Sequence, residues 1–226
     1  MIKLSERSKL GGILSFNMSP KLSCEHKTKW CGLYCYGLRG GRMSTQKAKE
    51  MYRENYMASH RQDFPEKMIE ALSKIPQHRR QSFRIHSVGD FYSVVYYLKW
   101  VQIAGNSTFT SYLAYTRNLE VAILANLYRS TVPNMTVRYS MDPATVTGPK
   151  YIHHLPTSLV IPHRFKKLEH WTPIMVNGLE YNVCTFGNCI NCLRCWVSKG
   201  RVAFPQKYAA IDKSIDYSNM EIHIKP

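Results

Sequence analysis

Acidic residues are scarce: 15 Asp and Glu stand against 31 Lys and Arg in 226 residues, a formal charge of +16. A neutral surface is thereby excluded, and a polyanionic partner, most simply nucleic acid or a nucleotide, is expected. The alternative is a basic surface that only keeps the protein soluble. Long apolar runs are missing too. Nothing approaches the roughly 18–20 residues that a membrane-spanning helix requires, so no membrane association is expected. Residues 1–15 are too charged for a secretory signal. Neither a 20–50-residue repeat nor a low-complexity tract is visible, which removes solenoids and propellers. The 44% of hydrophobic residues, with 12% aromatic, is ample for a packed core and excludes disorder as the main state. A soluble cytoplasmic protein is the expectation.

An even set of cysteines is also lacking. The seven fall into two groups, Cys24, Cys31, Cys35 and Cys184, Cys189, Cys192, Cys195. An odd, clustered set suits a disulfide framework badly and a metal well. The late group packs four thiols into twelve residues, with Gly187 and Asn188 available to wrap the backbone around an ion. It fits tetrahedral zinc or, through its Cys-x2-Cys-x2-Cys run, an iron–sulfur cluster; free structural thiols are the bland account. Three thiols in the early group leave one coordination position open, as catalytic metals do, unless His26 closes a structural Cys3His set.

Hydrophobic periodicity alternates between 2 and 3.6. Strands are expected at 82–88, 110–116, 135–141 and 158–161, with another within 11–18. Amphipathic helices are expected at 93–104, capped by Ser93, at 119–130, capped by Asn118, and at 44–60 and 66–75, the last opened by Pro65. This is α/β patterning with successive βαβ units. The chain is short for an eight-stranded barrel of about 250 residues. A partial (β/α) barrel or an open parallel sheet, with a cysteine-rich, metal-stabilised C-terminal elaboration, is the expected architecture. Residues 1–149 form the β/α core with the first cysteine loop; residues 150–226, where prolines interrupt the pattern, complete that core and carry the second cysteine group.

Strand ends supply the polar candidates. Asp90 follows Gly89 after the second expected strand and Asp142 follows Met141 after the fourth; both suit a nucleophile or a general acid/base. Their bland accounts are a helix cap and an Asp-Pro turn. His86 is a further acid/base candidate, or a hydrogen-bonded core histidine. Thr116 and Arg117 end the third strand, and Tyr115 or Tyr112 faces the site. Arg138 and Ser140 share a strand face, where a buried Arg138 is expected to pair with Asp90, Asp142 or a substrate phosphate. Basic residues interleaved with rings at 27–42, 52–61, 77–80 and 163–167 suit a groove for polynucleotide.

The three-cysteine stretch ending Cys35-Tyr36, the segment Arg84-Ile85-His86-Ser87-Val88-Gly89-Asp90-Phe91, the later Tyr115-Thr116-Arg117 and the terminal Cys195-Trp196 resemble an uncharacterised phage gene-product family. That family is similar to bacterial phage-related three-Cys-motif proteins and, more distantly, to radical S-adenosylmethionine enzymes. The resemblance implies a β/α barrel, a metal at Cys24, Cys31 and Cys35, S-adenosylmethionine as a cosubstrate of any cluster there, Tyr36 beside the substrate, and action inside an infected host cell. The early cysteines are spaced x6 and x3, against the usual x3 and x2 of radical S-adenosylmethionine enzymes, and Val88 separates Ser87 from Gly89-Asp90. The expected activity is modification of nucleic acid or a nucleotide. Two alternatives stand beside it: base exchange like that of tRNA-guanine transglycosylases, with a strand-end Asp nucleophile and a structural zinc, and a non-enzymatic zinc-stabilised binding protein.

Overall fold

Seven adjacent strands of the sheet pair in parallel, most of them because the chain returns to the same end of the sheet before the next one begins. The computed structural model describes residues 2–6, 11–35, 37–38, 45–148, 152, 154–198, 200–207 and 209–225. A short hairpin of β1 (Leu4–Glu6) and β2 (Leu14–Phe16) opens the sheet. A long excursion follows: α1 (Pro20–Ser23), α2 (Lys29–Tyr34), α3 (Gln46–His60), α4 (Phe64–Ser73) and α5 (Gln77–Arg80). Then come β3 (Ser82–Ile85), α6 (Val94–Gly105), β4 (Ser111–Thr116), α7 (Leu119–Leu127), β5 (Met135–Met141) and β6 (Thr157–Ile161). The hairpin β7 (Pro173–Val176) and β8 (Leu179–Val183), α8 (Arg194–Val197), β9 (Val202–Pro205), α9 (Ala209–Asp212) and β10 (Ile222–Ile224) complete the described elements. The sheet order is β1-β2-β3-β4-β5-β6-β9-β8-β7-β10. No pairing among the described residues joins β1 to β10, so the sheet is open and not a barrel.

Local chemistry explains the long elements. Ser93 and Asn118 accept hydrogen bonds from Tyr96 N and Val121 N, capping α6 and α7 as their sequences predict, and Thr45 caps α3 in the same way. The C-terminal third holds more strand than expected. Val176-Asn177-Gly178-Leu179 turns β7 into β8 with φ of +48° and +76° at Asn177 and Gly178, the two-residue hairpin signal that the proline-rich composition obscures.

Because β2 to β6 are neighbours in chain order and all parallel, right-handed crossovers place the connecting helices on one face. That face carries the main core: Phe16, Phe83, Ile85, Tyr112 and Val137 pack against Phe64, Met68, Trp100 and Ile103, and Leu159, Ile161, Ile174, Val183 and Ala203 continue it. The opposite face is polar. Strand alternation puts Ser15, Arg84, Tyr115, Thr136, Arg138, Ser140 and Ser158 there, and the second cysteine segment covers part of it through Cys195 and Trp196, which pack on Leu113 and Val202.

Candidate functional site

A cavity opens at the C-terminal ends of β3, β4 and β5, where open α/β sheets bind ligands. Cys24, Cys31, Cys35, His86, Asp90, Tyr115, Thr116, Arg117 and Ser140 line it together with Lys27 and Arg84. The cysteine loop reaches this place because the ends of β2 and β3 are stitched together. Met18 N donates to Val88 O, and Val88 N donates to Asn17 Oδ1. Gly89, at φ +103°, lies so close to α1 that a Cβ there would sit 3.0 Å from Ser23 Oγ and 3.1 Å from Met18 O. A side chain at this position would displace α1, and with it Cys24.

Asp90 does not cap the helix after it, a task Ser93 performs. Its Oδ1 accepts from Phe91 N at 2.7 Å and its Oδ2 from Arg117 N at 2.8 Å, tying the end of β3 to the end of β4. Burial pushes its carboxyl up to about 6 against the opposing hydrogen bonds from Thr116, Arg117 and Phe91. Asp142 does form the expected Asp-Pro turn, accepting from Ala144 N. It also takes part in a buried network: Oδ2 lies 2.7 Å from Arg117 Nη1 and accepts from Thr28 Oγ1 at 2.5 Å. Thr28 in turn accepts from Cys31 N as the cap of α2. The guanidinium of Arg117 bonds the Cys31 thiol as well, lowering a proton affinity that burial raises. Thr28 thus couples the cysteine helix to a strand-end carboxylate, a role that the sequence analysis did not assign it.

His86 breaks the strand. At φ +58° it turns its ring out of alternation with Arg84 and into the aromatic core beside Phe91 and Phe16, where Nε2 meets Tyr96 OH at 2.9 Å. Burial, with Arg84 nearby, pushes its proton affinity down to about 3, so the ring is neutral. Nδ1 has no hydrogen-bond partner among the described residues. Tyr115, not Tyr112, faces the cavity; Tyr112 OH is buried on Ser107. Tyr36 lies outside the described residues.

Arg138 corrects its expectation. It is fully buried, yet pairs with neither Asp90 nor Asp142, because strand alternation directs it under the second cysteine segment. Nε, Nη1 and Nη2 donate to the carbonyls of Cys195, Gly200 and Ser198 at 3.2, 2.7 and 2.6 Å. Thr136 adds a bond to Trp196 O at 2.6 Å. The cation is satisfied by three backbone dipoles rather than by a carboxylate.

The second cysteine group lies against the polar sheet face. Cys192 N and Leu193 N both donate to Cys189 O, with Leu193 held at φ +49°, so the backbone wraps back on itself. Burial, then the neighbouring Cys195, with Cys189 and Cys192 adding to it, pushes the Cys184 thiol up to about 12. His170, absent from the sequence reading, places Nε2 3.3 Å from Cys192 Sγ; no cysteine-like spacing pointed to it. In the early group, burial and the charges of Asp90, Cys31 and Cys35 push the Cys24 thiol well up. No disulfide joins any of the seven cysteines. Among the described residues no three Cys, His, Asp or Glu side chains stand close enough to hold a metal ion. Thiolates are soft donors in kind, and holding a metal would require them to converge.

The rings of two basic runs are engaged in packing. Tyr52 is buried, Tyr56 packs on His60 and Tyr92, and Phe165 is buried, so these rings are not free stacking faces. No described helix is long and apolar enough to cross a membrane. No curated protein and no solved structure matches the chain. The family described as Gene product 88 matches residues 2–158, more than half of the chain. The polypeptide therefore belongs to the Gene product 88 family, a phage gene-product family.

Proposed function

We propose that the protein is a metal-containing enzyme that modifies nucleic acid or a nucleotide at the strand-end cavity. The observation that carries this reading is that Cys24, Cys31, Cys35, Asp90 and Arg117 line one cavity. Cys24, Cys31 and Cys35 would hold the metal or cluster, which supplies an open coordination position or, as an iron–sulfur cluster with S-adenosylmethionine, radical chemistry. Asp90, with proton affinity near 6, holds or releases a proton near neutral pH at its Oδ atoms. Arg117 fixes both strand-end carboxylates through its backbone N–H and its guanidinium. Thr116 orients Asp90, and Tyr115 forms the cavity wall.

A second reading is base exchange of the transglycosylase kind. It is favoured by the buried strand-end Asp90 and by His170 beside Cys192, which gives the late thiols the imidazole that such zinc sites contain. A covalent adduct with abasic nucleic acid, lost in Asp90→Ala, supports it; its absence under single-turnover conditions rejects it. The general test is mass spectrometry of polynucleotide and nucleotide substrates incubated with anaerobically purified protein. A mass change lost in Asp90→Asn is the expected result. Salt-sensitive binding with no chemical change, unaffected by that substitution, identifies a binding protein instead.

A further inference from the structure

The geometry points to a phosphate-binding subsite in this cavity, formed by the guanidinium of Arg84 with the Ser140 hydroxyl and the Lys27 ammonium. The proposal rests on the reading of the cavity as a substrate site and names the part of the substrate it grips. Arg84 projects from β3 onto the polar sheet face. Its guanidinium carbon lies 3.8 Å from the centroid of the Tyr115 ring, so the group is supported on one face. Nε donates to His86 O at 3.3 Å, which anchors the inner edge of the guanidinium. Its two Nη groups have no hydrogen-bond partner and no carboxylate within salt-bridge distance among the described residues. A flat, anchored guanidinium with an unoccupied pair of N–H groups matches two oxygens of a phosphate.

The surroundings agree on the sign of the ligand. Three cations line the cavity, Lys27, Arg84 and Arg117, of which only Arg117 is neutralised, by Asp142. The remaining carboxylate, Asp90, is already engaged by the backbone N–H groups of Phe91 and Arg117. Lys27 donates to Cys24 O at 3.2 Å and remains exposed at the mouth. The Ser140 hydroxyl lines the same cavity with no protein partner among the described residues. Lys27, Ser140 and Arg84 therefore line one space from different elements, and together they offer an anion two cations and a hydroxyl.

Calorimetric titration of the full chain with inorganic phosphate, at pH 7 and constant ionic strength, tests the assignment. The parent is expected to bind, Arg84→Gln to weaken binding at least tenfold, and Ser140→Ala by a few-fold. Arg84→Lys is expected to fall between parent and Arg84→Gln, since it keeps the charge and loses the fork. Lys67→Gln, a distant surface control, is expected to bind like the parent. Circular dichroism confirms that each variant is folded. Comparison of a nucleoside 5′-monophosphate with a dinucleoside monophosphate distinguishes a terminal phosphate from a bridging one, and dependence of either on Arg84 supports the subsite. Phosphate affinity equal in parent, Arg84→Gln and Arg84→Lys overturns it, as does failure of the parent to bind. Cys31→Ala separates the two claims: it is expected to retain phosphate binding even where the metal reading of the cysteines fails.

Discussion

Replacing Arg138 by methionine removes a buried cation whose only described partners are three carbonyls of the second cysteine segment. A hydrogen bond from a charged donor contributes about 1.5–3 kcal/mol net. Two considerations reduce the total. The substitution relieves the desolvation cost of a buried guanidinium, which is several kcal/mol. The carbonyls of Ser198 and Gly200 also belong to residues that water can reach, whereas Cys195 is buried. A loss of about 2–4 kcal/mol remains, dominated by the Cys195 carbonyl, which water does not replace. Urea unfolding measures it from the shift in midpoint at unchanged slope. In the presence of a chelator, Cys195, only 9% exposed, should react markedly faster with a thiol reagent in the variant. Arg138→Lys should recover less than half of the loss, because one ammonium cannot span three diverging carbonyls. A change below about 0.5 kcal/mol with unaltered thiol kinetics would refute the clamp.

Asp142→Asn leaves Arg117 without its buried counter-charge while keeping part of the turn, and is expected to cost about 2–4 kcal/mol in the same assay; Thr28→Val should cost about 1 kcal/mol through the lost cap of α2. The two strand-end titrations act in opposite directions. His86 is neutral in the fold with its affinity lowered to about 3, so its contribution is complete above about 6.5 and is lost as pH falls toward 3. Asp90, raised to about 6, contributes most below its unfolded value near 3.8, and that contribution is lost as pH rises through 6. His86→Phe should therefore flatten the acid limb of the stability profile between pH 6.5 and 3, and Asp90→Asn should flatten the decline between pH 4 and 6. If the late cysteines hold zinc, a chelator should lower the midpoint of thermal unfolding in the parent and leave Cys192→Ala unchanged; equal effects on both contradict that role.

Periodicity and capping made the βαβ half readable, since Ser93, Asn118 and the alternation through β5 report local backbone preferences that survive folding. The open sheet, one of two architectures expected, depends on whether the first and last strands meet, which no local pattern encodes. Asn177-Gly178 carried a readable hairpin signal that surrounding prolines masked. For the cavity, strand-end placement brought Asp90, Thr116 and Arg117 within view. The partner of Arg138 was not legible: alternation gives its face, but the carbonyls that satisfy it lie some sixty positions later in the chain. The left-handed backbone at His86 likewise overturns the face that alternation assigns, and Thr28 and His170 gain their meaning only from tertiary contacts with Asp142 and Cys192.

Metal and sulfide analysis of anaerobically purified protein, with Cys31→Ala and Cys192→Ala beside the parent, tests the central claim most directly. Bound metal is expected in the parent, with a separate loss of metal on each substitution; iron with sulfide lost in Cys31→Ala would specify a cluster, and zinc alone would reject the radical route. Metal content in Cys31→Ala equal to that of the parent would contradict the assignment of Cys24, Cys31 and Cys35 as its ligands.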